Sequence, residues 1–366
     1  MMGMAGPELG MSGFAGKLVT SGVWRAFGRE CTAEVVRSES MKQRRRGRLL
    51  RPDVFLRLAV ALVVSGVARG AEQDPALLEL AKVQKMVRVG VCQWGVEATI
   101  PREGVPVFSE AQRAAVPEIS CFTGRLKVWL GQNAAALEEK SATWDNDQNR
   151  FVPSSFHFWL RDDRVYRLST DLNSGTVDAM PGGRPMSRLP ASSRPAFLAY
   201  RLFDAAVGLA KPEQLAKIGM AVHQGRDCQV YEKRFAAQGW RWQISLAKNL
   251  GYRVVRYQTL MPSGKIDLDI SLKYERDPDI EMRLGSWVIR RPWLGSTETG
   301  RLEHHQFNRP IDPEKLRPTF PSGTRVVDHV SGVRYIKGRE AETFEFTRGA
   351  AAGAKNAAGW RGSGLQ

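Results

Sequence analysis

The chain has 366 residues, 43% hydrophobic and 25% charged, with 54 Lys+Arg against 38 Asp+Glu. That composition excludes a disordered or collagen-like chain and supplies enough apolar side chains for one large or two ordinary domains. The positive excess is uneven: residues 1–70 hold 12 Lys+Arg and 5 Asp+Glu, leaving 42 against 33 for the rest, where no Lys/Arg block suggests a nucleic-acid surface.

Residues 1–40 are rich in Gly, Met and Ser and show no periodicity, so they read as a non-native or disordered extension before a natural start at Met41. Peptides recovered from residues 5–35 of the native protein would contradict that expectation. Arg44, Arg45, Arg46, Arg48 and Arg51 then precede the 11-residue run 58–68 (LAVALVVSGVA). This run is far shorter than the roughly 20 residues of a spanning helix. Ala68 and Gly70 stand at −3 and −1 to a cleavage before Ala71. Segment 41–70 therefore has the layout of a secretory signal peptide and implies a periplasmic or secreted protein, with an uncleaved anchor as the alternative. Beyond it Cys92, Cys121 and Cys228 make an odd set, compatible with one disulfide and a free thiol or with three buried thiols.

Residues 71–345 read as a single domain. The spacing of Leu77, Leu78, Leu80, Ala81, Val83 and Met86 predicts a helix over 75–89. A strand through Trp94, Val96, Ala98 and Ile100 follows. Residues 101–120, with three prolines, read as a loop, and strand alternation resumes at 125–130. Phe156, Phe158 and Leu160 alternate with His157 and Trp159, and Asp162-Asp163 turns the chain into 164–169. Helices are expected within 193–220: Ser193 as cap, Pro195 in the first turn, an apolar run to Leu209, then a shorter piece over 211–220. That first helix is apolar nearly all round and requires cover on most sides. Trp240, Trp242, Ile244 and Leu246 begin a meander that continues through Asn249-Leu250-Gly251 and Pro262-Ser263-Gly264. In 266–274 the five residues Ile266, Leu268, Ile270, Leu272 and Tyr274 share one face, so a slip of one residue would expose them all. The tail, 346–366, has no pattern and reads as disordered.

No nucleophile elbow, H-E-x-x-H, C-x-x-C, P-loop or G-x-G-x-x-G occurs, so the chain carries no catalytic signature and no cofactor is expected. Of five histidines, His304 and His305 are adjacent and point to opposite faces of a strand, which argues against a shared metal. A metal held by Glu303, His305 and a distant carboxylate is the weaker alternative. Asp267 and Asp269 share a face and read as surface rather than as an acid–base pair.

Segment 240–328 resembles the LolA-like superfamily of periplasmic lipoprotein carriers. The similarity is carried by WRWQISLAKNLGYRVVRYQTL, the long strand IDLDISLKY, GSWVIRRPW and the ending LEHHQFNRPIDPEKLRPTFPSGTRVVD. The resemblance implies a mainly β, α+β fold: a curved antiparallel half-barrel sheet capped by helices around an apolar cavity. It also implies a non-enzymatic role, holding acyl chains of a lipid or lipoprotein. Phe197, Tyr200, Phe203, Trp242, Ile270 and Leu272 are the expected cavity residues. The alternatives are an envelope sensor or scaffold that binds another protein, such as a membrane protein, and, third, an enzyme built on polar groups that the sequence does not reveal. No residue of the family's functional arginine aligns here.

Overall fold

The computed structural model describes residues 74–105, 107, 109–180, 189–204, 207–235 and 239–345. The expected extension, signal segment and tail lie outside these residues, as does Ala206. Helix α1 (Pro75–Lys85) opens the domain. Strands β1 (Gly90–Pro101), β2 (Ile119–Leu130), β3 (Ala134–Asp145), β4 (Arg150–Arg161), β5 (Arg164–Ser169) and β6 (Ser174–Ala179) follow, with the short helix α2 (Glu110–Ala115) between β1 and β2. Helix α3 (Arg194–Tyr200) leads to β7 (Ala216–His223), β8 (Arg226–Phe235), β9 (Trp240–Ala247), β10 (Arg253–Leu260), β11 (Ile266–Asp277), β12 (Glu281–Arg291) and β13 (Ser296–Phe307). The chain closes with β14 (Arg325–Asp328), β15 (Val333–Ile336) and β16 (Arg339–Glu345).

All these strands form one open, curved sheet, in the order β16-β15-β14-β6-β5-β4-β3-β2-β1-β13-β12-β11-β10-β9-β8-β7. The first strand is thus central: β1 joins a meander on one side (β2 to β6) to a second on the other (β13 back to β7). Pairing is antiparallel except between β6 and β14, which run parallel. The alternation expected of half-buried strands is present. Leu126, Val128 and Leu130 of β2, Phe156, Phe158 and Leu160 of β4, and Leu268, Ile270 and Leu272 of β11 all turn to the same face. Side chains from both meanders and from α1 and α3 meet there in one hydrophobic cluster, so the sheet wraps around α3. The expected fold, a curved antiparallel sheet covered by helices, is the observed one.

Helix α3 differs from expectation in length. It ends at Tyr200 rather than running through 209, because Arg201 leaves helical geometry and spends its guanidinium on main-chain carbonyls. Its Nη1 donates to Val87 O (2.6 Å) and its Nη2 to Arg88 O (2.9 Å) and Gly131 O (3.1 Å). Gln84 of α1 donates to Leu198 O (3.1 Å) and accepts from Phe203 N (3.2 Å), while Tyr200 Oη accepts from Leu284 N (2.7 Å). The C-terminal end of α3 is therefore bonded to α1, the β2–β3 turn and β12. Ser193 does not cap the helix as expected; its hydroxyl donates to Pro190 O (2.8 Å).

Three further expectations are corrected. Segment 211–220 is not helical: a 3-10 turn (Pro212–Gln214) leads straight into β7. Ile218, Met220 and Val222 alternate, and Gln224-Gly225 (φ 50° and 71°) closes a two-residue hairpin onto β8. Residues 101–120 hold helix α2 and the start of β2 as well as loop, and Val105 and Val116 pack on Trp144. Helix α1 stops at Lys85, four residues short of the expectation, and buries Ala76, Leu77, Leu80 and Gln84 while Leu78 faces solvent. On the outer face Leu316 and Phe320 lie over Ala136, Trp159 and Leu168 before the chain delivers β14 to the edge of β6.

Candidate ligand-binding site

The six cavity residues expected from the sequence converge. Phe197 and Tyr200 come from α3, Phe203 from the turn after it, Trp242 from β9, and Ile270 and Leu272 from β11, and all belong to the cluster that surrounds α3. Five are buried and Phe203 is half-buried. They pack against one another and their neighbours. Two surface depressions, of about 310 and 340 Å³, lie by the 249–253 turn and by Phe235 and Trp240, and none of the six lines either. Trp242 stands where the apolar face meets solvent. Its ring makes edge contacts with Phe235 (5.0 Å) and Tyr257 (5.8 Å), and Lys233 Nζ lies 4.9 Å above it.

The same concave face has a polar end, which the sequence did not single out. Glu139 on β3 lies in register between Leu126 and Phe156, and Glu298 on β13 between Ala98 and Ile289. Since Leu126, Phe156 and Ile289 are core residues, both carboxylates point inward. Arg291 at the end of β12 approaches Glu298 at 4.0 Å. Ser192 and Arg194 cover this end from the start of α3, and Tyr257 of β10 faces it. Five buried atoms here have no hydrogen-bond partner: Glu139 Oε2, Ser192 Oγ, Arg194 Nε, Tyr257 Oη and Glu298 Oε1. At the C-terminal end of α3 Arg201 Nε also lacks a hydrogen bond, but it lies 3.4 Å from the Asp204 carboxylate.

The electrostatics follow from this burial. Desolvation, and then the charge of Glu298, push the Glu139 carboxyl up to about 8, so Glu139 holds a proton at neutral pH. The Ser192 hydroxyl is close enough to favour the ionised form, although its geometry falls short of a hydrogen bond. Burial also raises Glu298, but Arg291 and Arg194 oppose the rise, so the proton of the pair resides on Glu139. Burial lowers Arg194, with the charges of Tyr257, Asp267 and Glu298 pulling the other way and that of Arg291 adding to the fall.

The other chemistry-bearing residues are committed elsewhere. Asp269 accepts two bonds from Arg256 (2.9 and 2.7 Å), and Asp267 one from Thr259 (3.1 Å). His305 Nε2 lies 2.8 Å from the buried Asp277 carboxylate, which Arg283 also approaches at 3.6 Å. Cys92 sits opposite His305 in register, but burial, and then the charge of Asp277, drive its thiol far above the ordinary range and keep it protonated. Cys92 and Cys228 are buried free thiols and Cys121 an exposed one, so these three form no disulfide. Among the described residues no three His, Cys, Asp or Glu side chains are grouped to hold a metal ion.

No protein-family model matches the sequence, and no curated protein matches it. Among solved structures the chain is similar to a DUF1329 family protein from Desulfovibrio piger, at 10% identity and a TM-score of 0.42 over 67% of this chain and 97% of that one. It is also similar to a putative outer membrane lipoprotein-sorting protein domain from Vibrio parahaemolyticus (12% identity, TM-score 0.40, covering 65% and 95%). A LolA superfamily protein from Nitrosomonas europaea shows 10% identity and a TM-score of 0.38, covering 66% and 97%. At such scores, what the protein does has to be read from its own side chains.

Proposed function

We propose that the protein is an exported carrier, periplasmic or secreted, that holds the acyl chains of a lipid or lipoprotein between α3 and the concave wall of the sheet. One observation carries the reading: a helix that is apolar from Pro195 to Tyr200 is laid in the hollow of an open sheet whose facing side chains are apolar except at the end beneath Arg194. Each CH₂ buried there contributes about 0.8 kcal/mol. Two or three acyl chains therefore supply ample gross affinity, even after the cost of ordering them, and no catalytic residue is needed. Phe197, Tyr200, Phe203, Trp242, Ile270 and Leu272 are the proposed contacts. Export rests on the signal-like segment 41–70, and no helix among the described residues is long and apolar enough to cross a membrane. The test is titration of a fluorescent fatty acid against the half-buried Phe203→Asp variant. Loss of binding is expected, and unchanged affinity in a folded variant overturns the assignment.

A second reading, an envelope scaffold or sensor, is favoured by the edge strand β7. It ends the sheet with one neighbour and exposes Ile218 (47%), Met220 (63%) and Val222 (71%) in alternation. An unpaired apolar edge is a template for a partner's strand. On that reading, Val222→Lys removes a co-purifying membrane protein.

A further inference from the structure

The two ends of α3 are treated differently by the fold. The C-terminal end is bonded to α1, the β2–β3 turn and β12, and Arg201 Nε, its one side-chain donor without a hydrogen bond among the described residues, is ion-paired with Asp204 at 3.4 Å. The N-terminal end faces a half-buried cluster with Ser192 Oγ, Arg194 Nε and Tyr257 Oη left without partners, although Ser192 and Tyr257 are 3% and 1% exposed. An unsatisfied buried polar group costs about 1–3 kcal/mol, so such atoms call for a partner.

The chemistry of that partner follows from what is already matched. Glu298 has Arg291 at 4.0 Å, and Asp267 accepts from Thr259. Arg194 lies within reach of the charges of Glu298 and Asp267 but its Nε makes no hydrogen bond, and Glu139 Oε2 makes none either. A carboxylate can shed its charge by taking up a proton, whereas a guanidinium cannot. Charge at this end is balanced, Arg194 and Arg291 against Glu298 and Asp267, and what an incoming group gains there is hydrogen bonds from Arg194 Nε, Tyr257 Oη and Ser192 Oγ.

We propose that the polar end of the concave face is a head-group subsite in which Arg194, Tyr257 and Ser192 receive the oxygen atoms of a phosphate or carboxylate borne by the acyl chains. The inference rests on the carrier reading and goes beyond it by assigning the ligand's orientation: tails toward Phe197 and Tyr200, anionic head beneath Ser192 and Arg194. Both candidate groups share the same chemistry, a planar or tetrahedral cluster of charged acceptors that a guanidinium can grip.

The experiment titrates the full-length protein at pH 7, by intrinsic tryptophan fluorescence, with palmitate, with hexadecanol (the same chain without the charge) and with dipalmitoyl phosphatidic acid. The wild type is expected to prefer palmitate to hexadecanol by roughly tenfold or more, the worth of a charge-assisted hydrogen bond. Arg194→Gln brings that ratio close to one while hexadecanol affinity holds. Tyr257→Phe, which keeps the ring and its packing, lowers the ratio several-fold and guards against misfolding of the first variant. A wild-type ratio in both variants, or a wild type that binds hexadecanol as well as palmitate, overturns the subsite and leaves the carrier reading standing. A wild type that binds none of the three overturns both. A larger loss of affinity on Arg194→Gln for phosphatidic acid than for palmitate assigns a phosphate head, and the reverse order a carboxylate; either supports the site.

Discussion

Replacing Glu139 by glutamine is expected to stabilise the protein at alkaline pH and leave it nearly unchanged in mild acid. In the folded state burial, and then the charge of Glu298, raise the carboxyl from 4.5 to about 8, so the unfolded chain loses this proton well before the folded one. Between those two values the folded state binds more protons, and stability falls as pH rises. The contribution is fully present below about pH 4.5 and is lost by about pH 8. At 1.36 kcal/mol per pH unit the interval sets an upper bound of about 5 kcal/mol, and solvent at the half-buried side chain reduces this to the order of 2–4 kcal/mol. Glutamine has no charge to lose. The difference in unfolding free energy between variant and wild type should therefore grow from near zero at pH 5 to its plateau above pH 8. Urea denaturation followed by circular dichroism at five pH values from 5 to 9 measures it. Glu298 is also raised, but it remains in both proteins and cancels in the difference. A difference that does not vary with pH would refute the argument that Glu139 is buried against a like charge.

Two substitutions probe the frame around this site. Arg201→Met removes a buried guanidinium from the carbonyls of Val87, Arg88 and Gly131 and should cost about 3–5 kcal/mol; a loss below 1 kcal/mol in urea denaturation contradicts its anchoring role. Gly300→Ala places a methyl 2.1 Å from the Trp287 ring, which lies across β13, and should cost about 1–3 kcal/mol, since a core indole has nowhere to retreat; an unchanged midpoint in the same assay contradicts that packing.

The antiparallel meanders were legible because period-two alternation writes the buried face directly into the sequence, most plainly in 266–274. That these six apolar residues meet in one cluster was legible for the same reason, since the inward positions of β9 and β11 and an apolar helix must face each other. Strand β7 was misread because Ile218, Met220 and Val222 follow a proline and give only three apolar positions, too few to separate period two from a helical turn. The informative residues were Gln224 and Gly225, whose positive φ angles make the hairpin. The length of α3 was not legible, since nothing in the local pattern says that Arg201 finds three carbonyls from the segment after α1 and from the β2–β3 turn. The polar end of the site was hidden differently. Glu139 follows Ala135 and Leu137, and Glu298 precedes Gly300 and Leu302, at inward positions of their strands. A carboxylate in the inward register was the available signal. Only the curvature of the sheet brings residues 159 positions apart within reach of each other's charge.

The claim at the centre, that this protein holds acyl chains against the concave face, is tested most directly by native mass spectrometry of protein purified from its own envelope fraction under non-denaturing conditions. The expected result is a mature mass beginning at Ala71 with added mass of lipid size, released by an organic extraction that leaves the chain intact. A mature mass with no adduct, unchanged after incubation with lipid vesicles, would contradict the carrier and move the function to the exposed edge of β7.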